Sequence, residues 1–195
     1  MGQLQLEFLV GQGLLPNHTF LDIGCGTLRG GRRIIAYLNR GNYWGIDISA
    51  KAIEYAGQLL REEQLSEKKP RLILLESKNQ SFGELGGQLF DFLLAQSVFT
   101  HLPPQIIKEC LRNIGRVMKP SSIFFFTFSA ADSFNQTNRK HFCYPYSFFA
   151  ELAQANHFVL KDRSECYNHP GGQKMLEMMK KPSPSSKAGN EPIRT

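Results

Sequence analysis

The 195-residue chain has no Cys-x-x-Cys pair and no two histidines at metal-ligand spacing. Its four cysteines, at 25, 110, 143 and 166, are scattered singly. A zinc site and a disulfide framework are therefore not expected, and neither is any other metal. No apolar run approaches the 18 residues that a membrane-spanning helix needs. The first Lys or Arg is Arg29, so the basic start of a secretory signal is lacking. Leu6 stands where a myristoylation motif wants Ser or Thr. Excess charge is also scarce. The net charge is +6, but residues 180–195 hold four basic side chains against Glu191. The other 179 residues carry 19 basic and 16 acidic side chains, a net +3. A nucleic-acid-binding body is not called for. These absences lead to the expectation of a reduced, cytoplasmic protein without membrane or nucleic-acid partners.

What is present is a strand–helix alternation. Residues 4–15 suggest an amphipathic helix, and 19–23 a short apolar strand running into glycines. Residues 31–40 read as a helix stopped by Gly41, and 43–48 as a second strand ending near Asp47. Ser49 is placed to cap a helix whose apolar positions 52, 53, 56, 59 and 60 follow the 3.6 period. A third strand is expected at 71–75. Residues 90–95 are continuously apolar, as in a strand buried on both faces. Pro103 or Pro104 opens a helix whose apolar stripe continues to Met118, with Lys119-Pro120 as its stop. A further strand is expected at 123–128, a helix after Pro145, and two final strands at 157–160 and 173–179. Strands alternating with helices predict a mostly parallel, seven-stranded α/β sheet with right-handed crossovers. The last two strands have no helix between them and are expected to pair antiparallel. Residues 1–179 form the expected domain. Residues 180–195, rich in Pro, Ser and Lys, read as a flexible basic tail.

The most informative stretch is Leu21-Asp22-Ile23-Gly24-Cys25-Gly26-Thr27-Leu28-Arg29-Gly30-Gly31, between a strand and a helix. Glycines there allow a sharp turn and a close ligand, at the strand ends where open α/β sheets bind ligands. A dinucleotide loop requires its third glycine at 29, which is Arg. Asp22 would meet a pyrophosphate with a carboxylate, yet would attract a ligand amine. Asp47 can accept hydrogen bonds from a ribose diol, a feature shared by nicotinamide cofactors and S-adenosylmethionine.

On Leu-Asp-Ile-Gly-Cys-Gly at 21–26, Gly-Ile-Asp at 45–47, Phe-Asp-Phe-Leu-Leu-Ala-Gln-Ser at 90–97 and the helix-free ending at 157–179, the chain resembles class I S-adenosylmethionine-dependent methyltransferases. More specifically it is similar to small stand-alone bacterial ones with Leu-Arg-Gly-Gly after the loop and a late Asn168-His169-Pro170 and Gln173-Lys174-Met175 stretch. The family's usual third loop glycine is Leu28 here. The resemblance implies a Rossmann-like methyltransferase fold with S-adenosylmethionine as cofactor and S-adenosylhomocysteine as product. By the resemblance Asp22 faces the methionine ammonium, while Gly24, Cys25 and Gly26 supply backbone approach. Asp47 holds the ribose and Ile48 packs on adenine. Glu76 and Ser77 lie at the adenine edge, Gln96 near the methionine part, and Arg29 near its carboxylate.

The chemistry then asks mainly for an acceptor nucleophile (O, N or C) placed in line with the methyl group. A base is needed only for a protonated acceptor. His101, just after the fourth strand, is the best-placed candidate, with a structural role as the alternative. His141 and His169 are open between pocket and packing roles. Phe124, Phe125, Phe126 and Phe128 read as strand core. Phe134, Phe142 and Tyr144 either cover a substrate or close the domain. Gln96-Ser97-Val98-Phe99 lacks the polar-Pro-Pro-aromatic order of nucleic-acid amino-methyltransferases, and Pro103-Pro104 comes too late. A small-molecule acceptor is favoured and a protein acceptor stays open. The lid is expected from the N-terminal helix and the 129–145 loop. Two other readings stand: a cofactor-holding module without its own activity, and an NAD-dependent oxidoreductase.

Overall fold

A computed structural model describes residues 2–75 and 81–182. Nine strands form one sheet. The parallel half is β3 (Arg71–Leu74), β2 (Tyr43–Asp47), β1 (Phe20–Ile23), β4 (Phe90–Ala95) and β5 (Met118–Ala130), in that spatial order. The β1 register sets Asp22 opposite Gly45 of β2, so both strands end at one rim. The last strand, β9 (Lys174–Lys180), runs antiparallel between β5 and β8 (Phe158–Asp162). This is the expected mostly parallel sheet with an antiparallel last strand, but with nine strands rather than seven, because a hairpin after β5 adds two.

Strands β1 and β4 are apolar at almost every position because both sheet faces are covered. One core cluster lies around Phe124, Phe126 and Phe149, the other around Phe20, Ile34 and Phe125. Phe124, Phe125, Phe126 and Phe128 are all buried, as their run in a central strand requires. The helices are α1 (Gly2–Gly11), α2 (Gly31–Tyr37), α3 (Ala50–Glu62), α4 (Pro104–Asn113) and α5 (Tyr146–Ala155). Ser49 caps α3, its hydroxyl accepting from Ala52 N at 3.2 Å.

Three expectations change. The helix expected to continue to Met118 ends as an α-helix at Asn113, tightens to a 3-10 turn over Ile114–Val117, and becomes β5 at Met118. The apolar stripe continues because the turn and the first strand residue also face the core. Residues 129–145 are not a plain loop. They extend β5 and then form a hairpin of β6 (Asn135–Asn138) and β7 (His141–Tyr144), with β7 pairing to Ser129 and Ala130. Phe142 and Tyr144 are buried in it and close the domain, while Phe134 is half exposed and stacks 6.4 Å from Phe142. At the C-terminal end, Lys180 is still in β9, and its ammonium donates to Met118 O at 2.7 Å. The strand therefore runs one residue past the expected domain boundary. Most of the expected tail, and Glu76 and Ser77, lie outside the described residues.

Candidate active site

The turn after β1 is built on left-handed backbone. Gly24 has φ +70, and a Cβ there would meet Val98 Cγ2 at 2.6 Å, so both the conformation and the space demand glycine. Gly26, at φ +54, faces open space. Leu28 also takes φ 61 and is fully buried. The position where the family has a third glycine thus keeps the left-handed turn, and leucine adds core packing at a backbone cost of about 1–2 kcal/mol.

Two carboxylates flank this turn. Asp47 Oδ2 accepts from Gly26 N at 2.8 Å and its Oδ1 from Ser49 N at 2.8 Å. The end of β2 is thereby tied to the glycine turn. Asp22 is buried, and the Tyr43 hydroxyl donates to its Oδ2 at 2.6 Å. Burial raises the Asp22 pKa from 3.8 to about 7, the tyrosine bond opposes the rise, and the Asp47 charge adds to it. Tyr43 is a site residue that sequence reading missed. Its link to Asp22 exists only once β1 and β2 are in register.

Two clefts open on either side of Gly24. The larger, of ≈ 720 Å³, is polar: Gln5, Asp22, Gly26, Arg29, Gln96 and His169 contribute to its walls. The smaller, of ≈ 290 Å³, is an apolar slot between Ile46, Ile48, Leu75, Val98 and Leu102, with Asp47 at its wall. Ile48 is 55% exposed there, a large apolar side chain held against solvent at the slot. Cys25 turns its side chain into the core, where a Cβ on Gly45 would meet Sγ at 2.9 Å. Burial and the nearby Asp22 and Asp47 charges push its thiol pKa well up, so it is an inert neutral group.

Beyond β4 the cleft wall is a hydrogen-bonded network. The Tyr167 hydroxyl donates to Gln96 Oε1 at 2.8 Å, and Gln96 Nε2 donates to Ser97 Oγ at 3.2 Å. Ser97 and Thr127 hydroxyls both donate to Gln173 Oε1, at 3.0 and 2.7 Å. Ser97 also takes φ 56, a left-handed position at the end of β4. Ser97 and Gln173 stand in stretches that carry the resemblance but were not read as site residues, and neither was Gln5, whose signal is a polar side chain in a mainly apolar helix. His101 lies on the apolar slot rather than in the polar cleft, with Nδ1 2.5 Å from Lys140 O in the hairpin. Its ring stands 6.2 Å from His141. Of the expected site residues, then, Asp22, Gly24, Cys25, Gly26, Arg29 and Gln96 meet at the polar cleft, and Asp47, Ile48 and His101 at the slot. Among the described residues no group of three or more His, Cys, Asp or Glu is arranged to hold a metal, and no helix is long and apolar enough to cross a membrane.

A parallel sheet of order β3-β2-β1-β4-β5 with an antiparallel β9 beside β5, a glycine turn after β1 and an acidic residue ending β2 defines a Rossmann-like fold of the methyltransferase class. Residues 21–124 match the family model described as a methyltransferase domain, and the chain belongs to that family. Solved structures agree in fold. The magnesium protoporphyrin IX methyltransferase of Synechocystis, crystallised with S-adenosylmethionine, superposes with a TM-score of 0.70 at 17% identity, over 92% of this chain and 80% of that one. An S-adenosylmethionine-dependent methyltransferase from Clostridium acetobutylicum gives 0.69 at 14% identity, over 93% and 91%. The [4+2]-cyclase SpnF gives 0.66 at 17% identity, over 92% and 82%. The same fold therefore carries more than one chemistry, and family membership is what assigns methyl transfer here.

Proposed function

We propose that the protein binds S-adenosylmethionine across the two clefts and passes its methyl group to a small-molecule acceptor in the polar cleft. The carrying observation is that a polar and an apolar cleft meet over the bare backbone of Gly24, with a buried carboxylate on one side and Asp47 on the other. Their sizes suit ligand pockets, which run about 300–1,000 Å³. The apolar slot suits adenine, with Ile48 on its face and His101 in its wall. Asp47 keeps lone pairs free for the ribose hydroxyls while its backbone bonds hold it in place. Asp22 suits the methionine ammonium. Arg29, with no ion pair among the described residues, suits the carboxylate.

When bound, S-adenosylmethionine supplies a methyl group made electrophilic by its sulfonium sulfur. The protein's part is positioning. Gly24 and Gly26 admit the ligand to the backbone, and the Gln96–Tyr167 pair fixes the wall where an acceptor would sit. His101 is assigned to the slot wall, not to proton transfer. In a folded Asp47→Ala protein we expect affinity for S-adenosylhomocysteine to fall at least about tenfold, the loss of roughly one charge-assisted pair. Unchanged affinity by calorimetry would remove the ribose assignment.

A further inference from the structure

His169 sits in the loop between β8 and β9, and the turn that follows wraps its ring. Gly171 N donates to its Nδ1 at 3.0 Å and Gln173 N at 3.4 Å. A Cβ on Gly171 would stand 3.2 Å from the ring's Cε1, so the turn and the ring are packed together. A ring nitrogen that accepts backbone N–H bonds carries no proton, so in the neutral ring the proton is on Nε2. His169 is only 9% exposed, and its buried Nε2 has no hydrogen-bond partner among the described residues. The ring lines the polar cleft beside Gln96 and Ser97. Burial lowers its pKa, which keeps the ring neutral near pH 7. A buried donor without a partner is unfavourable, and a ligand oxygen would relieve it.

The neighbouring amide oxygens are already engaged, although Gln96 Oε1 keeps a second lone pair. Gln96 Oε1 takes the Tyr167 hydroxyl, and Gln173 Oε1 takes those of Ser97 and Thr127. The wall offers a ligand two donors, His169 Nε2–H and the second amide hydrogen of Gln96. His169 in this tautomer cannot take a proton at Nε2. His169 therefore holds an acceptor rather than deprotonating it, which suits an acceptor whose lone pair is already free.

Resting on the methyltransferase reading above, we propose that His169 binds the methyl acceptor through an anionic oxygen, and that the acceptor is a small carboxylic acid converted to its methyl ester. One carboxylate oxygen is held by Nε2–H while the other attacks the methyl carbon. The new carbon–oxygen bond forms as the carbon–sulfur bond breaks, and that electron pair stays on sulfur. The carboxylate and sulfonium charges cancel, and no proton moves. The products are a methyl ester and S-adenosylhomocysteine.

The test incubates the full chain with methyl-labelled S-adenosylmethionine and either a pool of small carboxylic acids or a pool of small amines and phenols. Label released by mild base as methanol is expected from the acid pool. His169→Phe should lower that transfer at least about tenfold, one charge-assisted hydrogen bond. His169→Gln, which keeps an N–H donor, should recover part of it. S-adenosylhomocysteine affinity should stay within about threefold in both variants. Nitrogen-15 spectra of the ring should show the neutral Nε2–H form at pH 7. Base-stable label alone, no label in the acid pool from a chain that binds S-adenosylhomocysteine, or an Nδ1–H ring would each overturn the proposal. So would a His169→Phe protein that loses cofactor affinity as much as transfer. A wild-type chain that fails to bind S-adenosylhomocysteine would instead defeat the underlying reading.

Discussion

Asp22 concentrates the electrostatics of the site in one side chain. Its pKa near 7 means that the native state keeps a proton which the unfolded chain releases near 4. The native state then binds more protons than the unfolded state across that window, so this group's contribution to stability falls as pH rises from about 4 to about 7. The span corresponds to something on the order of 4 kcal/mol. Denaturant melts of wild type and Asp22→Asn should show it: the wild type loses stability relative to the variant across this range, and parallel curves would contradict the burial argument. The same proton should leave when an ammonium is placed beside the carboxylate. Calorimetry of S-adenosylhomocysteine binding in buffers of different ionisation enthalpy should show proton release near pH 6.5 in the wild type and none in Asp22→Asn. Gly24 is the second sensitive residue. Gly24→Ala forces a Cβ against Val98 at 2.6 Å on left-handed backbone and should cost about 1–3 kcal/mol in a thermal melt, with loss of cofactor affinity.

At the scale of elements, the hairpin of β6 and β7 is held by a short pairing of β7 with β5 and by few further bonds. The Tyr144 hydroxyl donates to Leu102 O, and the Lys140 carbonyl meets His101. Tyr144→Phe should cost about 1 kcal/mol and raise amide exchange at 135–144 more than in β1 or β4. Uniform exchange across the molecule would show that the hairpin is not a separable unit. This element was illegible in the sequence for a physical reason. Asn135, Gln136, Thr137 and Asn138 are all exposed, so β6 carries no period-2 alternation. Strands β1, β4 and β5 were legible because burial on both faces makes them continuously apolar. Helix starts were legible where one residue decides them, as with Ser49 and Pro104, whereas the stops expected at Gly41 and Pro120 came too late, the helices ending at Tyr37 and Asn113. The site divided in the same way. The glycine turn, Asp22 and Asp47 are local to strand ends and could be read along the chain. Tyr43 against Asp22, and the direction of the His169 ring, depend on register and on a turn wrapping its own side chain.

For the whole molecule, we propose that the rim of the parallel strands is a cofactor cradle with an acceptor wall beside it. Fold and family rest on the strand order and on the 21–124 match, and the charge pattern agrees with a site that takes a cationic group beside Asp22. Arg29 stands where a dinucleotide loop would need its third glycine, and a pyrophosphate on this turn would face the Asp22 carboxylate. The measurement that tests this most directly is calorimetric titration of the full chain with S-adenosylhomocysteine, with NADH in parallel. Micromolar-scale binding of S-adenosylhomocysteine and none of NADH is expected. Binding of NADH alone, or of neither, would contradict it.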